Sequence, residues 1–195
     1  MPFYERRLPH WHPDGRDIFI TWRLHGSLPP TRYVPPDGLT TGQAFAWIDR
    51  YLDRATYGPT WMLRPGIAQI MADALHYGQD SLRHYALHAY VVMANHVHVL
   101  LTPFAPLAKV TLSLKGYTAR EANLILNRTG KPFWQSESYD HWLREGEFDR
   151  IKGYIEFNPV RAGLVKTAEE YPWSSAVRKA GTNAGLQPGL AAPPS

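Results

Sequence analysis

The chain contains no cysteine, which excludes a disulfide framework, a thiol nucleophile and a thiolate zinc site; any metal must be held by nitrogen and oxygen. Long apolar runs are missing as well. Nothing approaches the roughly 18 consecutive apolar residues of a membrane span, and the opening Met1-Pro2-Phe3-Tyr4-Glu5-Arg6-Arg7 lacks an apolar stretch of signal-peptide length. A cytoplasmic protein with no membrane partner is expected. There is no glycine-rich phosphate loop, so no nucleotide cofactor is expected either. Neither sign of charge dominates: 21 Lys and Arg stand against 17 Asp and Glu, for a net +4. That excess fits a polyanionic partner only where the basic residues cluster.

What is present is enough apolar material for one core. At 195 residues and 44% hydrophobic content the chain is one domain's worth, expected over residues 1–180, with a Gly-, Ala- and Pro-rich flexible tail over 181–195. Seven Trp, eleven Tyr and seven Phe exceed what a minimal core needs, leaving aromatic faces to stack on planar groups such as bases. Asp17 to Gly26 is rich in β-branched and aromatic residues and predicts a strand. Thr40 to Tyr57 and Gly66 to Gln79 carry helical periodicity. Tyr85 to Met93 and His96 to Phe104, separated by Ala94-Asn95, predict an antiparallel hairpin. Leu107 to Leu126 predicts a helix, Phe133 to Leu143 an aromatic irregular stretch, and Glu147 to Asn158 a helix stopped or kinked by Pro159. This order suggests an α+β fold, a small antiparallel sheet with helices packed on it. A ferredoxin-like arrangement would need one more strand than the pattern displays.

Two segments carry chemistry. In Asn95-His96-Val97-His98-Val99 the imidazoles are two residues apart on a strand, so both project from one face and two nitrogens converge on one ion. The spacing alone leaves open a pair of hydrogen-bonded core histidines, since two ligands do not complete a metal site. His84 and His88 read as surface or packing residues. Further on, Tyr154 and Asn158 are four apart on a helix, about 6 Å along its axis, at the margin of the Phe148, Ile151 and Ile155 stripe. Arg150 projects one turn earlier on nearly the same side. A phenol beside a cation is a candidate nucleophile, because positive charge lowers its pKa; a packing tyrosine is the plain alternative.

Taken together, Val92-Met93-Ala94-Asn95-His96-Val97-His98-Val99-Leu100 and Tyr154-Ile155-Glu156-Phe157-Asn158-Pro159-Val160-Arg161-Ala162-Gly163-Leu164-Val165 resemble the REP-associated tyrosine transposases, relatives of the single-tyrosine insertion-sequence transposases. The resemblance runs from about Phe19 to Trp173-Ser174, with Phe133-Trp134-Gln135 and Asp140-His141 before the tyrosine helix. It implies an HUH endonuclease fold of ferredoxin-like type, with His96 and His98 as metal ligands for Mg²⁺ or Mn²⁺. Tyr154 would be the covalent nucleophile and Asn158 would stand at the third-ligand position. It further implies a single-stranded DNA substrate with a hairpin of the repetitive extragenic palindrome kind, cut through a 5′-phosphotyrosine by a monomer or homodimer acting at the nucleoid. Arg150, Lys152, Arg161, Lys115, Arg120 and Trp134 are the candidates to contact that DNA; the alternative for them is a solvated helix face and an aromatic mini-core. Two other functions fit the same residues: a domesticated hairpin-binding protein without activity, and a metal-dependent nuclease that uses water.

Overall fold

The structure, a computed structural model, describes residues 15–29 and 37–177. The tail expected over 181–195 lies outside the described residues. Alternation along the first strand decides the layering. In β1 (Ile18–Arg23), Ile18, Ile20 and Trp22 point to one side of the sheet, and Phe19 and Thr21 to the other. β3 (His96–Pro103) lies antiparallel to it in a register that pairs Thr21 with His98 and Arg23 with His96. β2 (Tyr85–Val92) flanks β3, with an irregularity between Leu87 and Ala89. The fourth strand, β4 (Tyr139–Trp142), pairs antiparallel with the other edge of β1. The strand order β2-β3-β1-β4, with helices between β1 and β2 and between β3 and β4, is the ferredoxin-like one.

β4 is the strand that the sequence pattern does not display. Its four residues Tyr139-Asp140-His141-Trp142 are all half-buried, so they lack the in-and-out alternation that marks a strand. The preceding loop is held instead by Lys115, whose ammonium donates to the carbonyls of Gln135 and Ser136 at 2.7 and 2.8 Å and to Ser138 Oγ at 3.2 Å.

Helices cover both faces. α1 (Thr41–Arg54) starts on a capping box, Thr40 with Gln43, and ends at Ala55 in the left-handed region, φ 47°. α2 (Pro65–Asp80) has proline in its first turn, where no intrahelical N–H is required. It packs with α3 (Leu107–Ile125) over the side of the sheet that carries Ile18, Ile20, Trp22, Val97, Val99 and Leu101. Close approach there requires Gly78: a Cβ at that position would fall 2.2 Å from the Tyr85 hydroxyl, which donates to the Leu75 carbonyl at 2.8 Å. The opposite face, with Phe19, Ala89, Val91 and Leu100, receives Ile151 and Ile155 of α4 (Phe148–Glu156) and Phe45 of α1. α4 gives way at Phe157 to the short α5 (Asn158–Arg161); Pro159 supplies no N–H to the turn before it, which is the kink expected from the sequence. No helix of the described residues is long and apolar enough to cross a membrane.

Candidate metal and nucleophile site

The two histidines lie on the α1/α4 face, and both are fully buried. Each is oriented by the nitrogen that faces away from the centre. His96 Nδ1 is 2.7 Å from Asn95 Oδ1, so Nδ1 carries the hydrogen and Nε2 presents a lone pair. Asn95 is held in turn, its amide donating to the Leu52 carbonyl of α1 at 3.1 Å. The hairpin turn thereby ties α1 to the strand. His98 Nδ1 is 2.7 Å from Thr21 Oγ1 across the β1–β3 pair; a hydroxyl can donate or accept, so this contact permits either tautomer.

Both Nε2 atoms face Asp49 of α1, at 3.6 Å from His96 and 3.2 Å from His98 to its Oδ1. The carboxylate is 1% exposed. Asp49, His96 and His98 form a buried group whose ligating atoms all lie within 4.8 Å of one another. Among the described residues, Asp49 Oδ1 and His96 Nε2 have no hydrogen-bond partner. Buried acceptors that face each other without a proton between them are costly unless a cation is shared. The donor set, two imidazoles and a carboxylate, therefore fits a divalent metal ion.

Asp49 is the residue that sequence reasoning missed. A signal exists: in α1 it falls in phase with Phe45 and Leu52, an acid within the apolar stripe of an amphipathic helix. One turn later, Asp53 Oδ1 lies 3.5 Å from His96 Nε2. Asn158, expected as the third ligand, is also fully buried and adjoins the same group. With its amide turned to satisfy its neighbours, its oxygen accepts from His98 Nε2 at 3.1 Å and its nitrogen donates to Asp53 Oδ1 at 3.0 Å. The structure thus brings together His96, His98, Asn158 and Tyr154, and adds Asp49 and Asp53.

Tyr154 reaches this centre from α4. Its hydroxyl donates to Asp49 Oδ2, and its ring meets those of Phe19, Phe45 and His98. The cation beside it is not Arg150, which points outward and pairs with Glu147 at 2.7 Å. It is Arg161, two turns on from Tyr154, whose guanidinium sits 4.1 Å over the Tyr154 ring. Nor is the phenol's pKa lowered as the sequence suggested. Burial and the Asp49 carboxylate raise it, and together they outweigh Arg161. Burial and the neighbouring His98 push His96 down to about 3, which keeps it the neutral imidazole a metal requires. Burial acts to raise Asp49, but His98, His96 and the Tyr154 hydroxyl outweigh it and hold the carboxyl below its ordinary range. Asp53, buried and next to Asp49, is pushed up to about 7.

The other candidate DNA contacts are dispersed. Lys115 is committed to the 135–138 loop. Trp134 is a core residue, 8% exposed, with its indole N–H on Thr118 Oγ1 at 2.9 Å, and so belongs to the aromatic mini-core rather than to a base-stacking surface. Arg120 is exposed and pairs with Glu121 at 2.6 Å. Lys152 lies 5.8 Å from the Phe148 ring. His88, read as a packing residue, contacts Thr102 Oγ1 at 2.6 Å and Asp17 Oδ1 at 3.3 Å.

No family model matches the chain, and no curated protein does. Among solved structures it is similar to a REP-associated tyrosine transposase bound to a REP hairpin, with a TM-score of 0.52 and 22% identity over 96% of this chain and 89% of that one. It is also similar to a protein from Deinococcus radiodurans R1 provisionally assigned as a transposase, with a TM-score of 0.41 and 17% identity over 78% of this chain and 97% of that one. The first of these likenesses carries the conclusion that the chain has the α+β fold of a REP-associated tyrosine transposase.

Proposed function

We propose that the chain is a metal-dependent single-strand DNA endonuclease and strand transferase, with Tyr154 as the nucleophile. The observation that carries this reading is the convergence of the Tyr154 hydroxyl and both imidazoles on one buried carboxylate, Asp49. His96, His98 and Asp49 would hold Mg²⁺ or Mn²⁺, with the Asn158 amide beside them. When bound, the ion supplies positive charge to a non-bridging oxygen of the scissile phosphate.

The chain's own residues do the rest. The hydroxyl hydrogen of Tyr154 already rests on Asp49 Oδ2, so that oxygen is the acceptor for the phenolic proton as Tyr154 Oη attacks phosphorus. The new bond is Oη–P and the broken bond is P–O3′; the 3′ oxygen leaves as a hydroxyl once it gains a proton. The 5′-phosphotyrosine retains the phosphodiester energy, so a second 3′-OH can reseal the strand without a nucleotide cofactor. Phe19 and Phe45 pack on the nucleophile's ring, with Tyr139 stacked on Phe45 behind them, and exclude water from its inner side. A hairpin-bearing single strand is the substrate we favour, because the similar transposase is bound to a REP hairpin and attack on the strand requires unpaired nucleotides.

The test is covalent capture. Wild-type protein with Mn²⁺ and labelled hairpin single strand should give a denaturation-resistant adduct that maps to Tyr154. Tyr154→Phe keeps the ring and its packing, so it should fold and bind the strand while adduct formation drops by at least about a thousandfold. Cleavage without an adduct would indicate a water-using nuclease, and strand binding with neither would indicate a binding module.

A further inference from the structure

We infer that Arg161 competes with a divalent ion for the Asp49 carboxylate and, displaced from it by the ion, clamps the phosphate in front of Tyr154; this rests on the function proposed above. The guanidinium lies between two acids, with Nη2 3.7 Å from Asp49 Oδ2 and 3.6 Å from Asp53 Oδ2. Those separations are ion-pair distances but too long for hydrogen bonds. The same nitrogen donates to the Asn158 amide oxygen at 3.0 Å. The side chain is 38% exposed, whereas Asp49 is 1% and Asp53 10% exposed. Arg161 therefore offers charge to a buried acidic pair while its own side chain reaches solvent.

Two consequences follow. A divalent cation at Asp49, His96 and His98 would sit against the same carboxylate that Arg161 faces, so the two positive groups compete for it. Arg161 also stacks on the ring of the nucleophile. A phosphate approaching Tyr154 Oη thus comes within reach of the guanidinium, whose planar fork matches two phosphate oxygens. The charge that competes with the ion for Asp49 thereby serves to stabilise the pentavalent phosphate.

Mn²⁺ binding to the DNA-free protein, by calorimetry or by the Mn²⁺ electron paramagnetic resonance signal, separates the two halves of this inference from the cleavage reading. Arg161→Ala should bind Mn²⁺ more tightly than wild type, by about fivefold or more, because a competing charge is removed. The same variant should form the tyrosine adduct at least about a hundredfold more slowly on saturating hairpin strand and Mn²⁺. Arg161→Lys, which keeps the charge and lacks the fork, should bind Mn²⁺ like wild type and recover only part of the rate. A purely structural role predicts weaker metal binding in Arg161→Ala, and misfolding cannot tighten it. Equal or weaker Mn²⁺ binding by Arg161→Ala overturns the displacement, and an adduct rate matching wild type overturns the clamp. If wild type forms no adduct at all, the proposed function fails and the clamp with it, while the Mn²⁺ comparison still decides the displacement.

Discussion

The two faces of the sheet are built from the same four strands yet are organised differently. On the α2/α3 side the inward residues of β1 and β3 are apolar, and Trp22, Leu75, Val97 and Leu101 are closed off from solvent. On the α1/α4 side the same alternation places Thr21, His96 and His98 inward, and α1 and α5 bring Asp49 and Asn158 to meet them, all buried. One face is a largely apolar surface that stabilises the fold; the other gives up apolar contact for a buried polar cluster that could hold a metal ion. A core carboxylate with one oxygen left without a hydrogen bond is retained at a cost, so the asymmetry is what singles out this face as the candidate site. It also makes a prediction about mutations: changes on one face should register in stability, and changes on the other in metal binding and chemistry.

The largest effect should come from the polar face. His96→Ala combined with His98→Ala removes two of the three proposed ligands and should abolish both adduct formation and the Mn²⁺-dependent rise in melting temperature. For wild type at a hundredfold excess over Kd that stabilisation is about 2.7 kcal/mol, or about 5 to 10 °C. A melting curve of the double variant that still shifts with Mn²⁺ would place the ion elsewhere.

Next in size is a change to the apolar face, Leu75→Ala. It opens a cavity under a fully buried side chain and should lower unfolding free energy by about 3 kcal/mol. The Mn²⁺ affinity of the folded protein should remain that of wild type. Urea denaturation followed by a Mn²⁺ titration below the transition checks both; a tenfold change in affinity would show that the faces are not separable.

Asn95 links the two kinds of effect, because its side chain joins α1 to His96 and fixes that ring's tautomer. Asn95→Ala should weaken Mn²⁺ binding by about 10- to 100-fold, the range for an outer partner of a metal-ligating histidine. A calorimetric titration that finds wild-type affinity would mean that packing alone orients the ring.

The same contrast explains what was legible in the sequence. Residues that obey a period could be read: β1, the hairpin, α1, α2 and α3 follow from two- and three-to-four-residue spacing, and His96 and His98 share a face because strand alternation requires it. Asn158 and Tyr154 share one because a helical turn requires it. Residues that are brought together only by tertiary contact could not. Asp49 comes from a helix more than 40 positions before the histidines; its place in the apolar stripe of α1 marks it as buried but does not say which residues it meets. Arg161 enters because the chain resumes as α5 after Phe157, which carries its guanidinium back over Tyr154; Arg150, closer along the helix, is drawn outward by Glu147. β4 is invisible for a related reason, since it is an edge strand defined by pairing with β1 rather than by its own pattern.

The smallest effect expected lies at the joint between β4 and α4, which sets where the helix of Tyr154 begins. Glu147 accepts from the Arg144 backbone N–H and from His141 Nε2, both at 2.9 Å, and from Arg150 at 2.7 Å. The Arg144 N–H and the His141 contact, in that order, hold its carboxyl down at about 2, against an ordinary value of 4.5. Because the folded pKa is the lower one, the stabilisation is fully present above about pH 4.5 and is lost as pH falls toward 2. Glu147→Gln keeps the shape and one acceptor oxygen but removes the charge. At pH 7 it should cost about 1 kcal/mol, at the modest end expected of partly exposed charged contacts. At pH 2 the variant and wild type should converge. Paired urea melts at pH 7, 4 and 2 measure this directly. A difference that persists undiminished at pH 2 would show that the carboxylate's charge is not what joins β4 to the tyrosine helix.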